Sequence, residues 1–321
     1  MGAVPLGGGQ TEFRVWAPNA ETVLLDGMPL EREGDGCFAT RRPTREGDEY
    51  RFVLDGRPLA DPCSRFQPGG LRGPSAVLDT RAFAWTADPV AVSLDELVIY
   101  ELHVGASTPE GTFDAAIGRL DALVELGVTA VELMPVATFP GERGWGYDGV
   151  LTYAPHPAYG GPHGLARLVD AAHARGLAVL LDVVYNHVGP GSELLAAYGP
   201  YFTDRHETFW GAAIDYSQRG VREWAIQNAE LWVRDYRVDG LRLDATHAIF
   251  DDSTPHVLTE LAERVRAAHE GALVISEAAI GDRRPLEKWG HDAQWSDEFH
   301  HALHVLLTGE RDGYYEPFGC V

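Results

Sequence analysis

Two carboxyl-bearing residues end two short apolar segments of the sequence. Gly240-Leu-Arg-Leu-Asp244 ends in Asp244, and Leu273-Val-Ile-Ser-Glu277 ends in Glu277. Because side chains alternate along a strand, Arg242 and Asp244 are predicted on one face, where the guanidinium favours an ionised Asp244. Partial desolvation at the end of an apolar strand is predicted to favour a protonated Glu277. One ionised and one protonated carboxyl group form the pair that cleaves a glycosidic bond.

A structural interpretation of the same residues stays open. Arg242 and Asp244 could form a buried ion pair inside a barrel, and on spacing alone this is as well supported as catalysis. Glu277 by itself could be a helix N-cap or a loop carboxylate. The occurrence of both segments in one chain favours catalysis.

Further polar and aromatic residues lie at or beyond the ends of other predicted strands. Asp182 has the interior-facing parity of its strand and is predicted to orient Arg242 or the loop that follows. His187 could hydrogen-bond a sugar hydroxyl, and Tyr147 could stack on a pyranose ring. A lone histidine is usually structural and a loop aromatic is often an anchor, so both assignments depend on the carboxyl pair.

A group of residues near the C-terminus has the spacing of one helix face. Asp297, His300, His301 and His304 are at positions i, i+3, i+4 and i+7, a pattern that resembles a set of metal ligands. No His-Glu-x-x-His pattern accompanies it. A polar helix terminus or a substrate-contacting rim is therefore the favoured interpretation, and no metal is predicted.

Hydrophobic patterning predicts the strands and helices that carry these residues. From Leu97 onward, short apolar segments alternate with amphipathic helical patterns, which is typical of β/α units around a parallel sheet. Six strands are predicted, at 98–104, 128–135, 178–184, 240–244, 273–277 and 292–296. Polar residues at the strand ends, and no glycine-rich phosphate loop after the first strand, favour a (β/α)8 TIM-type barrel over a doubly wound sheet.

The first ninety or so residues have a different pattern. Alternating apolar residues and the dipeptides Asp26-Gly27, Asp35-Gly36 and Asp55-Gly56 predict hairpins of a small β-sandwich. We therefore predict two domains, a β-sandwich over residues 1–91 and the catalytic barrel over residues 92–321.

Composition excludes several classes of protein. The formal charge of −22, with no cluster of basic residues, argues against nucleic acid and anionic membranes as partners. The three cysteines Cys37, Cys63 and Cys320 are widely spaced, so neither a disulfide framework nor a zinc knuckle is indicated. With no recognisable signal peptide or membrane span, a cytoplasmic location is expected.

Three ordered motifs resemble signature regions of the α-amylase superfamily of retaining glycosidases. They are Asp182-Val-Val-Tyr-Asn-His187, Gly240-Leu-Arg-Leu-Asp-Ala-Thr-His247 and Ile275-Ser-Glu277. Trp145-Gly-Tyr-Asp-Gly149 and Tyr159-Gly-Gly-Pro162 resemble, more narrowly, the trehalose-releasing members of that superfamily. Phe13-Arg-Val-Trp-Ala-Pro18 is similar to the β-sandwich that precedes the barrel in those enzymes and in branching and debranching relatives.

The resemblance implies a role for each matching residue. Asp244 would be the nucleophile and Glu277 the general acid/base, while Arg242 would hydrogen-bond the nucleophile. His187 would bind hydroxyls of the sugar being cleaved, and His247 would line the leaving-group side. Weaker substrate-binding assignments fall on Tyr147, Asp182, Asp297, His300 and His301.

The implied reaction is hydrolysis of the α-1,4 bond next to the terminal trehalose unit of maltooligosyltrehalose, which releases trehalose without a cofactor. The implied partner is that sugar or a related α-glucan. Branching or debranching of a glucan is the alternative within the superfamily.

The chain departs from the superfamily pattern at one point. It contains no Asn-His-Asp, the motif that supplies a further carboxylate after the seventh strand. Six predicted strands also fall short of the eight of a complete barrel. The resemblance therefore implies a C-terminally truncated chain with an incomplete barrel, and a non-catalytic carbohydrate-binding protein or inactive fragment is a third hypothesis.

Overall fold

The structure, a computed structural model, describes residues 1–318, so Cys320 lies outside the described part. The first 76 residues hold ten strands: β1 (Gly2–Gly7), β2 (Gln10–Trp16), β3 (Val23–Leu25), β4 (Met28–Pro29), β5 (Glu31–Arg32), β6 (Cys37–Pro43), β7 (Glu49–Tyr50), β8 (Phe52–Leu54), β9 (Arg57–Leu59) and β10 (Ser75–Ala76). They form two four-stranded antiparallel sheets, ordered β1-β2-β6-β5 and β4-β3-β8-β9, and a separate β7-β10 pair.

The turns of the second sheet follow the predicted dipeptides. Asp26-Gly27 connects β3 to β4 and Asp55-Gly56 connects β8 to β9, and all four residues have positive φ. This is the conformation that two-residue hairpin turns with the twist of the flanking strands require.

The remaining strands are β11 (Ile99–Leu102), β12 (Ala130–Leu133), β13 (Ala137–Thr138), β14 (Leu151–Pro155), β15 (Ala178–Val183), β16 (Phe202–Thr208), β17 (Gly211–Ile214), β18 (Gly240–Leu243), β19 (Leu273–Ser276) and β20 (Ala293–Gln294). Six of them form one parallel sheet in the order β11-β12-β15-β18-β19-β20. All six predicted strands of the half-barrel are thus confirmed. The first five contain mostly apolar residues bounded by turn or helix signals, while β20 is only Ala293–Gln294.

The helices are α1 (Val104–Ser107), α2 (Phe113–Ile117), α3 (Leu120–Leu126), α4 (Gly161–His173), α5 (Glu193–Ala196), α6 (Arg219–Asp235), α7 (Val257–Ala268), α8 (Arg284–Glu287) and α9 (Asp297–Thr308). The apolar residues Phe113, Ile117, Leu120 and Val124 predict one helix between Thr112 and Gly127. The structure has two, because the backbone turns at Gly118 between α2 and α3. The ends are as predicted: the Thr112 hydroxyl accepts a hydrogen bond from Ala115 N, and Gly127 is left-handed with a φ of 89°.

The N-terminal sheets pack directly against a helix that follows the third barrel strand. The ring of Trp16, at the end of β2, lies so close to Gly220 in α6 that a Cβ there would be 2.2 Å from it. Trp16 also packs edge-on against Tyr201. One contiguous apolar core therefore runs from the N-terminal strands into the helices that surround the parallel sheet.

Candidate active site

One guanidinium contacts three carboxyl groups at the carboxyl ends of adjacent parallel strands. Arg242 Nη1 lies 2.7 Å from Asp244 Oδ1 and 2.9 Å from Asp182 Oδ2, and Arg242 Nη2 lies 3.0 Å from Glu277 Oε2. Asp182 is paired in register with Arg242, and Asp244 and Glu277 directly follow β18 and β19. The strand register thus brings the two residues of the predicted carboxyl pair to one side chain.

Burial and charge act in opposite directions on Arg242. Burial alone would lower the pKa of the guanidinium, but the three carboxylates more than offset that effect and the pKa of Arg242 is raised. Arg242 therefore stays charged at any pH at which the protein is folded, and it holds the carboxylates in fixed positions.

Asp244 is held by a second polar side chain. Asn186 Nδ2 donates to Asp244 Oδ2 at 2.7 Å and to the backbone oxygen of Asp244 at 2.8 Å. Asp244 is buried, with 6% of its surface exposed. Sequence reasoning did not select Asn186 as a site residue, although its place directly before His187 and just past a buried strand was the available signal.

Glu277 is the most accessible carboxylate of the cluster, with 30% of its side chain exposed. In addition to Arg242, its Oε2 accepts a hydrogen bond from Ala245 N at 2.9 Å. Ala245 has a φ of 39°, a left-handed conformation that is unusual for a residue with a side chain. This backbone turn directs the amide that follows Asp244 toward Glu277. That Glu277 is kept protonated remains a prediction.

Asp182 joins the cluster to the loop after the second barrel strand. The Tyr147 hydroxyl donates to Asp182 Oδ2 at 2.8 Å. Burial raises the pKa of Asp182 to about 7, although Arg242 lowers it. Burial and the Asp182 carboxylate also raise the pKa of Tyr147, which keeps this hydroxyl protonated.

His187 lies beside the cluster between two partners. Its Nδ1 is hydrogen-bonded to Asn186 Oδ1, and its ring is stacked on Trp210 with centroids 4.4 Å apart. Burial lowers the pKa of His187, so the imidazole is neutral at neutral pH. Trp210 lies in the turn between β16 and β17. The sequence from Tyr185 to Gly220 predicts a long irregular connection, and the hairpin found there corrects that prediction.

The remaining predicted residues are farther from Arg242. His247 is exposed on the turn after Asp244. Asp297, His300 and His301 come together in the first turns of α9, and none of them has a hydrogen bond or ion pair with the Arg242 cluster in the described part of the chain.

A further buried carboxyl group, which sequence reasoning missed, lies in the interior of the sheet next to the cluster. Glu132 is 1% exposed, and its Oε2 has no hydrogen-bond partner among residues 1–318. Burial raises the pKa of Glu132 to about 8, and Asp182 adds to this rise. The signal was a lone charge inside the apolar segment Ala130-Val-Glu-Leu133, on a strand buried on both faces.

Comparisons with known proteins agree with one another. The family profile described as "Alpha amylase, catalytic domain" matches residues 80–210. Malto-oligosyltrehalose trehalohydrolase of Deinococcus radiodurans is 47% identical over 99% of this chain and 54% of its own length. The enzyme of the same name from Saccharolobus solfataricus is 46% identical over 96% of this chain and 57% of its own length. The chain thus spans about half the length of these curated relatives.

The chain is also similar to solved structures of an alpha amylase and a pullulanase, again over about half of their length. A putative alpha amylase from Salmonella typhimurium has a TM-score of 0.92 at 41% identity, covering 99% of this chain and 57% of that protein. A Paenibacillus barengoltzii pullulanase mutant, complexed with maltotriose, has a TM-score of 0.72 at 27% identity, covering 86% of this chain and 53% of that protein. In the described residues, no helix is long and apolar enough to cross a membrane.

Proposed function

We infer that the chain is a member of the α-amylase family, whose catalytic-domain profile and curated relatives it matches. We propose that it carries the catalytic residues of a retaining glycoside hydrolase that releases trehalose from maltooligosyltrehalose. The observation that carries the proposal is the single guanidinium of Arg242, which contacts the carboxylates of both Asp244 and Glu277. Two carboxyl groups joined by one side chain lie close together, as the double-displacement reaction of retaining enzymes requires.

In the first step, Asp244 attacks the anomeric carbon of the glucose next to the trehalose unit. The bond to the bridging oxygen breaks as Glu277 delivers a proton to that oxygen, so trehalose leaves with its hydroxyl restored. Arg242 and Asn186 hold the Asp244 carboxylate by hydrogen bonds at 2.7 Å each, which fixes the attacking oxygen.

In the second step, Glu277 takes a proton from water. The hydroxide equivalent attacks the same anomeric carbon, the bond to Asp244 breaks, and the maltooligosaccharide is released with both carboxyl groups returned to their starting states. The partial exposure of Glu277 supports this role, because the residue must reach both the leaving group and the incoming water.

Neighbouring side chains would bind the sugar. The neutral imidazole of His187 can hydrogen-bond a hydroxyl, and Tyr147 and Trp210 offer rings for stacking on pyranose faces. His247, exposed just after Asp244, would contact the leaving trehalose. Asp182 would act through Arg242 and Tyr147, both of which it contacts.

We also propose the division into a β-sandwich domain over residues 1–91 and a catalytic barrel over residues 92–321. The two antiparallel sheets of the first 76 residues and the parallel half-barrel that begins at β11 support it.

The location proposed for the protein is the cytoplasm, which suits its two free thiols within residues 1–318, Cys37 and Cys63.

The test uses maltotriosyltrehalose as substrate and two proteins. One is the 321-residue chain. The other is the same chain fused to the part of the Deinococcus radiodurans relative that lies outside the matched region. The proposal expects free trehalose and maltotriose from the fused protein in equal amounts. No trehalose from either protein would overturn it, and activity of the 321-residue chain alone would exclude the inactive-fragment hypothesis.

A branching or debranching activity is the second candidate. A 1,4-alpha-glucan branching enzyme of Bacillus caldolyticus is 33% identical over 74% of this chain, and a pullulanase shares the fold. Formation or cleavage of branch points in amylopectin by the fused protein, with maltotriosyltrehalose left intact, would favour this candidate over trehalose release.

A further inference from the structure

Three side chains on α9 converge on one point at the surface. Asp297, His300 and His301 each offer a ligand atom, and these three atoms lie within 4.8 Å of one another. Their i, i+3, i+4 spacing places them on the same side of the helix, where side chains of successive turns meet. The distances suit three atoms arranged around a common centre.

The ring of His301 is fixed in a way that leaves one nitrogen unused. Its Nε2 is 3.1 Å from the Tyr314 hydroxyl, while its Nδ1 is buried and has no hydrogen-bond partner among residues 1–318. Tyr314, Tyr315 and Phe318 pack around the same ring. A histidine that binds a metal almost always has its second nitrogen held by a hydrogen bond, which sets the tautomer and the ring orientation. With the proton on Nε2, His301 donates this hydrogen bond to the Tyr314 hydroxyl, and Nδ1 is left to bind a metal ion.

We propose that Asp297, His300 and His301 bind one divalent first-row transition-metal ion, with water in the remaining coordination positions. Two imidazole nitrogens and one carboxylate suit Zn²⁺, Ni²⁺ or Cu²⁺, whereas Mg²⁺ and Ca²⁺ prefer sites made of oxygen. The net charge of −22 favours the approach of a cation. The proposal goes beyond the glycosidase activity, because neither Asp244 nor Glu277 takes part in it.

Without a His-Glu-x-x-His pattern, the sequence alone favours a polar helix terminus or a substrate-contacting rim for these residues. The structure adds two facts that spacing could not supply, namely the convergence of the three ligand atoms and the hydrogen bond between His301 Nε2 and the Tyr314 hydroxyl. Binding a sugar hydroxyl does not require three ligand atoms to converge, and it does not require a nitrogen such as His301 Nδ1 to lack a hydrogen-bond partner among residues 1–318. These two facts favour the metal.

The experiment is a calorimetric titration of the chelator-treated 321-residue chain with Zn²⁺, with Co²⁺ as a second probe whose visible absorption reports nitrogen ligation. We expect one strong Zn²⁺ site per chain and no comparable binding of Mg²⁺. His300→Ala changes an exposed ligand and should weaken Zn²⁺ binding by at least about tenfold, and Tyr314→Phe should weaken it by about tenfold through the lost hydrogen bond to His301.

The matched control is His304→Ala on the same helix, because His304 is paired with Glu310 and lies outside the cluster. It should bind Zn²⁺ like the parent chain. The proposal is overturned if the parent chain shows no site, or if His300→Ala and His304→Ala bind Zn²⁺ equally well. Maltotriosyltrehalose binding that is lost in His300→Ala, with Zn²⁺ binding unchanged, would restore the sugar-contacting interpretation.

Discussion

Arg242 is the residue that holds the carboxyl groups of the proposed active site together. Its two terminal nitrogens contact Asp182, Asp244 and Glu277 at 2.7–3.0 Å. A buried guanidinium among carboxylates has two effects. Its positive charge offsets their negative charge, and its planar N–H donors fix the position of each carboxylate oxygen.

Replacing Arg242 by lysine keeps the positive charge and removes the planar guanidinium that fixes the carboxylate positions. A single ammonium cannot contact three carboxylates in the same geometry, so we expect Arg242→Lys to lower kcat for trehalose release by about 100-fold or more. The measurement is steady-state kinetics in the fused protein. Arg264→Lys, which changes an arginine paired with Glu230 away from the cluster, is the control and should leave kcat unchanged. Equal kcat values for the two variants would contradict the role given to Arg242.

Glu132 makes stability depend on pH. Burial raises its pKa from 4.5 to about 8, so the folded chain keeps a proton that the unfolded chain releases. The free energy of unfolding therefore falls as pH rises from about 4.5 to 8, because the unfolded state binds fewer protons in that window. Glu132→Gln removes this pH-dependent loss of stability, so between pH 5 and pH 8.5 we expect the free energy of unfolding of the variant to gain about 4 kcal/mol relative to that of the parent chain.

Urea unfolding of the 321-residue chain at these two pH values provides the measurement. Glu125→Gln, on the exposed face of α3, is the matched control and should unfold like the parent at both pH values. If Glu132→Gln and the parent chain show the same pH dependence, Glu132 is ionised in the folded protein and the account of its burial is wrong.

At the scale of elements, the hairpin β16–β17 shapes one side of the site. Its turn presents Phe209 and Trp210, and only Trp210 stacks on His187, while Phe209 is 96% exposed. A second contact holds the hairpin in place, since His206 in β16 stacks on Phe250 with centroids 4.6 Å apart. The hairpin is thus attached to the loops after both β15 and β18.

Trp210→Ala should raise KM for maltotriosyltrehalose by about three- to tenfold, with a smaller effect on kcat, because a stacking ring and the support of His187 are lost together. The test compares it with Phe209→Ala, which removes a neighbouring ring that does not touch His187. A KM increase in Phe209→Ala that equals the one in Trp210→Ala would show that the turn, rather than the stack on His187, binds the sugar.

The elements that sequence could predict are those with one clear hydrophobic period. Five of the six parallel strands are mostly apolar runs such as Ala178–Val183, and their identity does not depend on distant residues. The hairpin β16–β17 was missed because Phe202–Thr208 is rich in polar residues and is held by contacts far along the chain. The break at Gly118 was missed because the apolar pattern continues across it into α3.

The same distinction applies to the site. Asp244, Glu277 and Arg242 could be selected because each occupies the end of a recognisable strand, and strand alternation brings Arg242 and Asp244 together. The contact of Asn186 with Asp244 and the stacking of Trp210 on His187 join residues that neither period nor motif relates. Such contacts follow from how loops fold over the sheet, which local patterning does not encode.

The whole molecule combines two antiparallel sheets, a six-stranded parallel half-barrel and a cluster of carboxyl groups around Arg242 at the carboxyl ends of its central strands. The curated relatives are nearly twice as long, with 54–57% of their length matched. All contacts of Asp244 and Glu277 described above come from within residues 147–277, so the cluster is assembled by this chain itself.

The most direct test of the central claim is trehalose release from maltotriosyltrehalose by the fused protein and by its Asp244→Asn variant, each assayed by product chromatography. Asparagine keeps the shape of the side chain and the hydrogen bond from Arg242 but cannot serve as the nucleophile. The account predicts that the fused protein releases trehalose and that Asp244→Asn lowers the rate by about four orders of magnitude. Release by Asp244→Asn at a rate close to that of the parent would contradict it.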